Sequence, residues 1–199
     1  MKRRVTSGFT LIEMVITMAL LITMFLLVFG PSSESYQRRR LILCQKNLQQ
    51  MAIALKIYAA DYRNAFPVVP GAATSEAPLS LLVPRYTSDT SFFICSGSRD
   101  RALREAVGFA DEKISYAYCM GRTQRDGPRA LLASDRQVDT APKIERQLLF
   151  SPDGKPPGNN HRKDGGNLLF CDGHVETSPA HAVHALPLDD GVVLLNPRP

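Results

Sequence analysis

From Phe9 to Phe29 the chain runs for 21 residues, FTLIEMVITMALLITMFLLVF, with Glu13 as the only ionisable side chain. An α-helix rises about 1.5 Å per residue, so such a segment is about 30 Å long, the thickness of a bilayer's hydrocarbon core. It can therefore span a membrane. Of 199 residues, those outside the span suffice for one modest globular domain and no second large one. Lys2, Arg3 and Arg4 stand directly before the span. Lysine and arginine beside a span tend to stay in the cytoplasm, which places the rest of the chain outside it, where disulfides persist. The later cluster Arg38-Arg39-Arg40 is a weaker opposing signal, read either as a solvated face or as a contact for anionic headgroups.

Two details separate this segment from a plain anchor or a secretory signal. No small-residue cleavage site of the Ala-x-Ala kind follows Phe29; the candidate cleavage point is upstream, at Gly8/Phe9. The second is Glu13. A lone charge on a lipid-facing helix costs about 2.5–3.5 kcal/mol at the bilayer centre and less near an interface, so the carboxylate needs a partner. In a bundle of such helices, each cut after Gly8, the new amine of a neighbouring Phe9 would supply one.

Gly8-Phe9-Thr10-Leu11-Ile12-Glu13, behind a short basic leader and ahead of a full-length apolar run, resembles the prepilin-type processing motif of type IV pilins and type II secretion pseudopilins. The resemblance implies cleavage after Gly8 by a prepilin peptidase, methylation of the Phe9 amine, and assembly of the helices into a filament core through Glu13. It also implies an inner-membrane assembly platform with an ATPase as partner. The formal charge of +5 falls to +2 once the three leader cations are removed, so nucleic acid is not an expected partner.

Gly30-Pro31 predicts a break, because proline removes a helical hydrogen bond and clashes with the preceding turn. Beyond it, Leu41, Cys44, Leu48, Met51, Leu55, Tyr58 and Tyr62 recur at alternating steps of four and three, flanked by Ala52 and Ala59. This is one apolar stripe of an amphipathic helix, with Gln45, Lys46, Gln49, Gln50 and Lys56 opposite. A coiled coil would share the spacing, but the stripe is short and leads into strand-like segments. Asn64-Ala65-Phe66-Pro67 ends it, and 68–78 reads as a loop. A helical turn is expected over 79–86, a brief buried extended piece over 92–95 and a short helix over 99–107. Strands are expected at 114–119, 130–134, 147–150, 167–171, 174–177 and 192–195, with Asp172-Gly173 the strongest hairpin signal. The fold class is therefore α+β and type IV pilin-like: a long N-terminal helix packed on a small, mainly antiparallel sheet. Its parts are a leader (1–8), a membrane and filament-core helix (9–30), its amphipathic continuation (31–63) and a β-rich head (64–199).

Four cysteines, Cys44, Cys95, Cys119 and Cys171, allow three complete pairings or free buried thiols. The run from Cys44 through Asn47-Leu48 to Tyr58, Asp61 and Phe66-Pro67 is similar to a pilin-like family abundant in planctomycetes and verrucomicrobia. Those proteins carry a Phe-x-Cys-Pro segment, similar to Phe93-Ile94-Cys95-Ser96, and a C-terminal His followed by an Asp-Gly hairpin. Between His161 and Asp172 there are ten residues here, one more than in that family. The resemblance implies a Cys44–Cys95 disulfide, leaving Cys119 and Cys171 to pair.

His161, Asp164, Asp172 and His174 lie in one loop and hairpin, and imidazole with carboxylate is a possible metal set. Because some secretion pseudopilins bind calcium near the C-terminus, the resemblance points to Asp164 and Asp172 as oxygen ligands. The spacing matches no zinc motif, and no other cofactor is expected. An enzyme is not expected either, since the chain has no Gly-x-Ser-x-Gly elbow, phosphate-binding glycine loop or His-Glu-x-x-His. The expected protein is a pilin or pseudopilin, in the bacterial inner membrane by one span with a periplasmic or extracytoplasmic head, then in a homomeric or mixed filament. The competing reading is a membrane-anchored extracytoplasmic binding module.

Overall fold

The computed structural model describes residues 10–29, 32–103, 109–136, 150, 160–161, 164–179, 186 and 188–199. It divides into two compact units, Met1–Tyr36 and Gln37–Pro199. In the first, helix α1 (Leu11–Phe29) is apolar on every side, and the stretch Leu11–Val28 has none of its residues buried. Its two threonines do not expose polar hydrogens. Thr17 donates its hydroxyl to the Glu13 carbonyl at 3.0 Å and Thr23 to the Ala19 carbonyl at 2.6 Å, as a helix in lipid requires. By length and composition α1 is able to cross a membrane. The break expected at Gly30-Pro31 lies outside the described residues.

Helix α2 (Ser32–Asp61) enters the second unit at Gln37. Cys44, Leu48, Met51, Leu55 and Tyr58 are buried on it together with Ala52 and Ala59, the spacing of one helical face. The stripe fades at both ends, where Leu41 is half-buried and Tyr62 exposed. Arg63 and Asn64 then take positive φ angles of 53° and 68°, and the Asn64 N–H returns to the Ala59 carbonyl at 2.8 Å. Left-handed residues of this kind stop a helix.

The sheet has five antiparallel strands: β1 (Tyr116–Met120), β2 (Leu131–Asp135), β3 (Gly166–Phe170), β4 (Val175–Ser178) and β5 (Val193–Leu195), in the order β4-β3-β2-β1-β5. The first four form a meander, and the C-terminal strand returns to the free edge of β1. The α2 stripe packs with Tyr116, Tyr118, Leu132 and Leu169 on one face. On the other, Cys119, Leu131, Leu168 and Phe170 meet Phe150 and Leu186. Both faces are covered, so β2 and β3 are buried along their whole length and show no alternation of apolar with polar residues.

Three local expectations are revised. Residues 91–93 form a 3-10 turn instead of extended backbone, with Phe92 and Phe93 buried. Short apolar runs carry no period long enough to separate the two. A short helix α3 (Glu76–Ser80) begins inside the stretch read as a loop. Residues 99–103 are not helical, and 104–108 lie outside the described residues. Of the strand expected at 147–150 only Phe150, in an isolated bridge, is described.

Candidate functional site

At the start of α1, Thr10 and Glu13 close on each other. The Glu13 carboxylate accepts from the Thr10 N–H and hydroxyl, each at 2.9 Å, and the Glu13 N–H points back to Thr10 Oγ1 at 3.4 Å. This is a capping box, in which Ser or Thr and a Glu three residues later satisfy each other's free N–H groups. The pattern Thr-x-x-Glu is the sequence signature of this box, and it gives Glu13 a local partner beside its charge. Gly8 and Phe9 lie outside the described residues.

In the second unit Cys44 on α2 is disulfide-bonded to Cys95, just past the 3-10 turn. Hydrogen bonds hold that segment on the helix: Asn47 Nδ2 donates to the Ile94 carbonyl at 2.9 Å, and Ser96 Oγ to the Arg40 carbonyl at 3.2 Å. The remaining pairing does not form, and Cys119 and Cys171 are free, buried thiols. Strand β2 lies between β1, which carries Cys119, and β3, which Cys171 directly follows, a separation of roughly 10 Å at two strand spacings. A disulfide tolerates Cα atoms only up to about 7 Å apart. The two side chains also join opposite faces of the sheet. Burial pushes both thiols up to about 12.

Beside the disulfide is a buried polar cluster that the sequence did not signal. Asp135, at the end of β2, is fully buried. Its carboxylate accepts from Asn160 Nδ2 at 2.7 Å, from the Asn167 N–H at 2.7 Å and from Asn167 Nδ2 at 3.0 Å. Asn160 also donates to the Ser115 carbonyl at 2.7 Å and Asn167 to the Leu41 carbonyl of α2 at 3.1 Å, so the cluster joins sheet and helix. His161 is buried with Nε2 3.2 Å from Cys95 Sγ and 3.5 Å from Asp135 Oδ2. Gly97 lets the ring in, since a Cβ there would stand 2.6 Å from His161 Cε1. Cys44 Sγ, Cys95 Sγ, an Asp135 oxygen and a His161 ring nitrogen all lie within 4.8 Å of one another.

The four residues offered as a metal set, with Asp164 and Asp172 as its calcium ligands, are dispersed. His161 turns inward to this cluster, whereas Asp172 and His174 pair at 2.5 Å on the exposed β3–β4 hairpin. Asp164 and Asp172 flank opposite ends of the five-residue strand β3, which is about 17 Å long. They cannot share an ion. The hairpin has its own arrangement: Lys56 Nζ donates to the Asp172 carbonyl, Gly173 has φ of 95°, and His174 stacks on Phe170 at 4.5 Å. Partial burial raises the Asp172 carboxyl, but hydrogen bonds from the His174 N–H and ring and the charges of His174 and Lys56 outweigh it and hold it below its ordinary value.

Three side-chain arrangements thus stand out: the capped acid at the head of an exposed apolar helix, the buried Cys/Cys/Asp/His cluster, and the hairpin tip braced by α2. Compared with known proteins, the chain matches no family model, no curated protein and no solved structure.

Proposed function

We propose that this chain is a subunit, pilin or pseudopilin, of a type IV pilus-like or type II secretion filament, with a type IV pilin-like fold. The observation that carries the reading is α1, a 19-residue helix in which none of the 18 residues Leu11–Val28 is buried, with one carboxylate, Glu13, in the first turn. A surface that apolar is stable only in lipid or against other copies of itself. Residues 9–29 lie in the inner membrane until assembly, with the head extracytoplasmic. A prepilin peptidase cuts after Gly8, and an ATPase acting through a membrane platform draws the helix into the filament. There Glu13 meets the Phe9 amine of the next subunit.

The second unit supports the same reading. Ile42, Leu43, Ile53 and Ile57 of α2 are 63%, 45%, 60% and 50% exposed, apolar positions set among Lys46, Gln49 and Lys56 on the exposed side of the helix. In a filament that side lies against neighbouring copies. Mass spectrometry of the mature N-terminus tests the proposal. A chain beginning at methylated Phe9 is expected; an uncut chain in the membrane rejects the filament in favour of an anchored binding module.

A further inference from the structure

We infer that the disulfide site has a second occupant: when Cys44 and Cys95 are reduced, they bind a zinc ion together with His161 and Asp135. The inference does not depend on the filament reading. The geometry points to it first. A tetrahedral zinc with sulfur at about 2.3 Å and nitrogen or oxygen at about 2.0–2.1 Å holds its ligands about 3.3–3.8 Å from one another. Two of these edges already exist, at 3.2 Å between Cys95 Sγ and His161 Nε2 and 3.5 Å between His161 Nε2 and Asp135 Oδ2. The four donor atoms all lie within 4.8 Å of one another, so ligation needs adjustments of about an ångström, the largest of them between the two sulfurs, which separate once their bond is broken. All four side chains are buried, so water does not compete for the centre.

The second argument is the support behind the donors. Asp135 Oδ1 is held by Asn160 and Oδ2 by Asn167, the outer hydrogen bonding that fixes a metal-bound carboxylate. His161 presents Nε2 to Cys95 Sγ and to the carboxylate together. Two thiolates, an imidazole and one carboxylate oxygen form a soft, borderline set that suits zinc and not calcium. The ligands come from sequence positions 44, 95, 135 and 161, so no short motif betrays them.

The third is charge. Counted formally, with a carboxylate at Asp135, a neutral imidazole at His161 and the disulfide closed, the site carries one negative charge. Reduction by an external dithiol, through thiol–disulfide exchange, transfers two electrons: the Cys44–Cys95 bond becomes two thiols and the dithiol becomes its own disulfide. Zinc then displaces both thiol protons to solvent. Two positive charges against two thiolates and one carboxylate again leave one net negative charge. Disulfide and zinc are thus alternative ways to close one site at equal buried charge, whereas an empty dithiolate would hold three.

The test uses the full chain in detergent micelles, metal-free, either oxidised or reduced with a phosphine. Zinc affinity is measured by competition with a chromophoric chelator, cobalt(II) absorption reports thiolate ligation, and near-ultraviolet circular dichroism reports the fold. The reduced chain is expected to bind one equivalent with thiolate-to-cobalt charge transfer, at least about 100-fold tighter than the oxidised chain, which lacks two of four donors. His161→Ala is expected to weaken binding by about 10- to 100-fold, while the double variant Cys119→Ser/Cys171→Ser binds as the parent does. If reduction alone loosens the fold, zinc is expected to restore it. Equal binding by oxidised and reduced chains, dependence on Cys119 or Cys171, full affinity in His161→Ala, or a reduced chain that neither binds zinc nor refolds with it would each overturn the inference.

Discussion

Glu13 accepts two hydrogen bonds from Thr10, one from its N–H and one from its hydroxyl, each 2.9 Å long. In the single chain the carboxylate therefore has a partner before any neighbour arrives. The bonds satisfy donors that the first turn of a helix leaves open, and a negative charge there also suits the helix dipole. In the proposed filament Glu13 would have a second role beside capping its own helix, answering a neighbour's amine.

The two roles are separable by substitution. Thr10→Val removes the cap, at about 0.5–2 kcal/mol to the helix start, but leaves the charge. Glu13→Leu removes both. With leader cleavage intact in each, filament recovered by shearing is expected near parental levels for Thr10→Val and absent for Glu13→Leu. Equal loss in the two would show that the cap, and not the charge, is what assembly needs.

Much of this architecture was readable in advance because it rests on period and turn chemistry. The three-and-four spacing from Cys44 to Tyr58 set the buried face of α2, and Asp172-Gly173 marked the turn between β3 and β4. What escaped notice is long-range and polar. His161 stands out in the sequence as a metal candidate, but its partners Asp135, Asn160 and Asn167 are ordinary surface residue types, and only the topology brings them together beneath α2. Their proximity has no counterpart in local spacing. Cys119 and Cys171 misled for a related reason: strand ends look adjacent in a list of strands, whereas the order β3-β2-β1 keeps them apart.

The Cys44–Cys95 bond spans a sequence separation of 51. On the chain-entropy account, closing a loop of that size stabilises the fold by about 4 kcal/mol. Urea denaturation of Cys44→Ser/Cys95→Ser in chelator, followed by circular dichroism, is expected to show a loss of about 2–4 kcal/mol and a steeper slope, because the unfolded chain without the cross-link exposes more surface. A loss under about 0.5 kcal/mol would mean that the unfolded chain is already compact in this region.

The free thiols give a pH dependence whose sign is fixed. Burial holds Cys119 and Cys171 protonated up to about 12, whereas an unfolded thiol ionises near about 8.5. The same burial raises Tyr116 and Tyr118. For groups raised by folding, the unfolded state releases protons first, so stability is constant below the unfolded values and falls as pH climbs towards the folded ones. Unfolding midpoints are expected to be flat from about pH 7 to 8 and to drop between about pH 9 and 12. Iodoacetamide at neutral pH is expected to label neither thiol in the folded chain and both in urea without reductant.

Gly173 sits at the tip of the β3–β4 hairpin, against the end of the Lys56 side chain. Its φ of 95° lies where L-residues are strained, and an added Cβ would also collide with Lys56 Nζ and stand 2.8 Å from Lys56 Cε. The collision involves the tip of a flexible side chain, which can move away at the loss of its hydrogen bond to the Asp172 carbonyl. The backbone strain cannot be relieved in that way. Gly173→Ala is therefore expected to destabilise the second unit by about 1–3 kcal/mol, and Lys56→Ala alone by less than about 1 kcal/mol. In the Lys56→Ala background, Gly173→Ala is expected to retain most of its cost. If removing Lys56 cancels it instead, the turn has shifted to accommodate alanine, and the contact with α2, not the turn conformation, fixes the glycine.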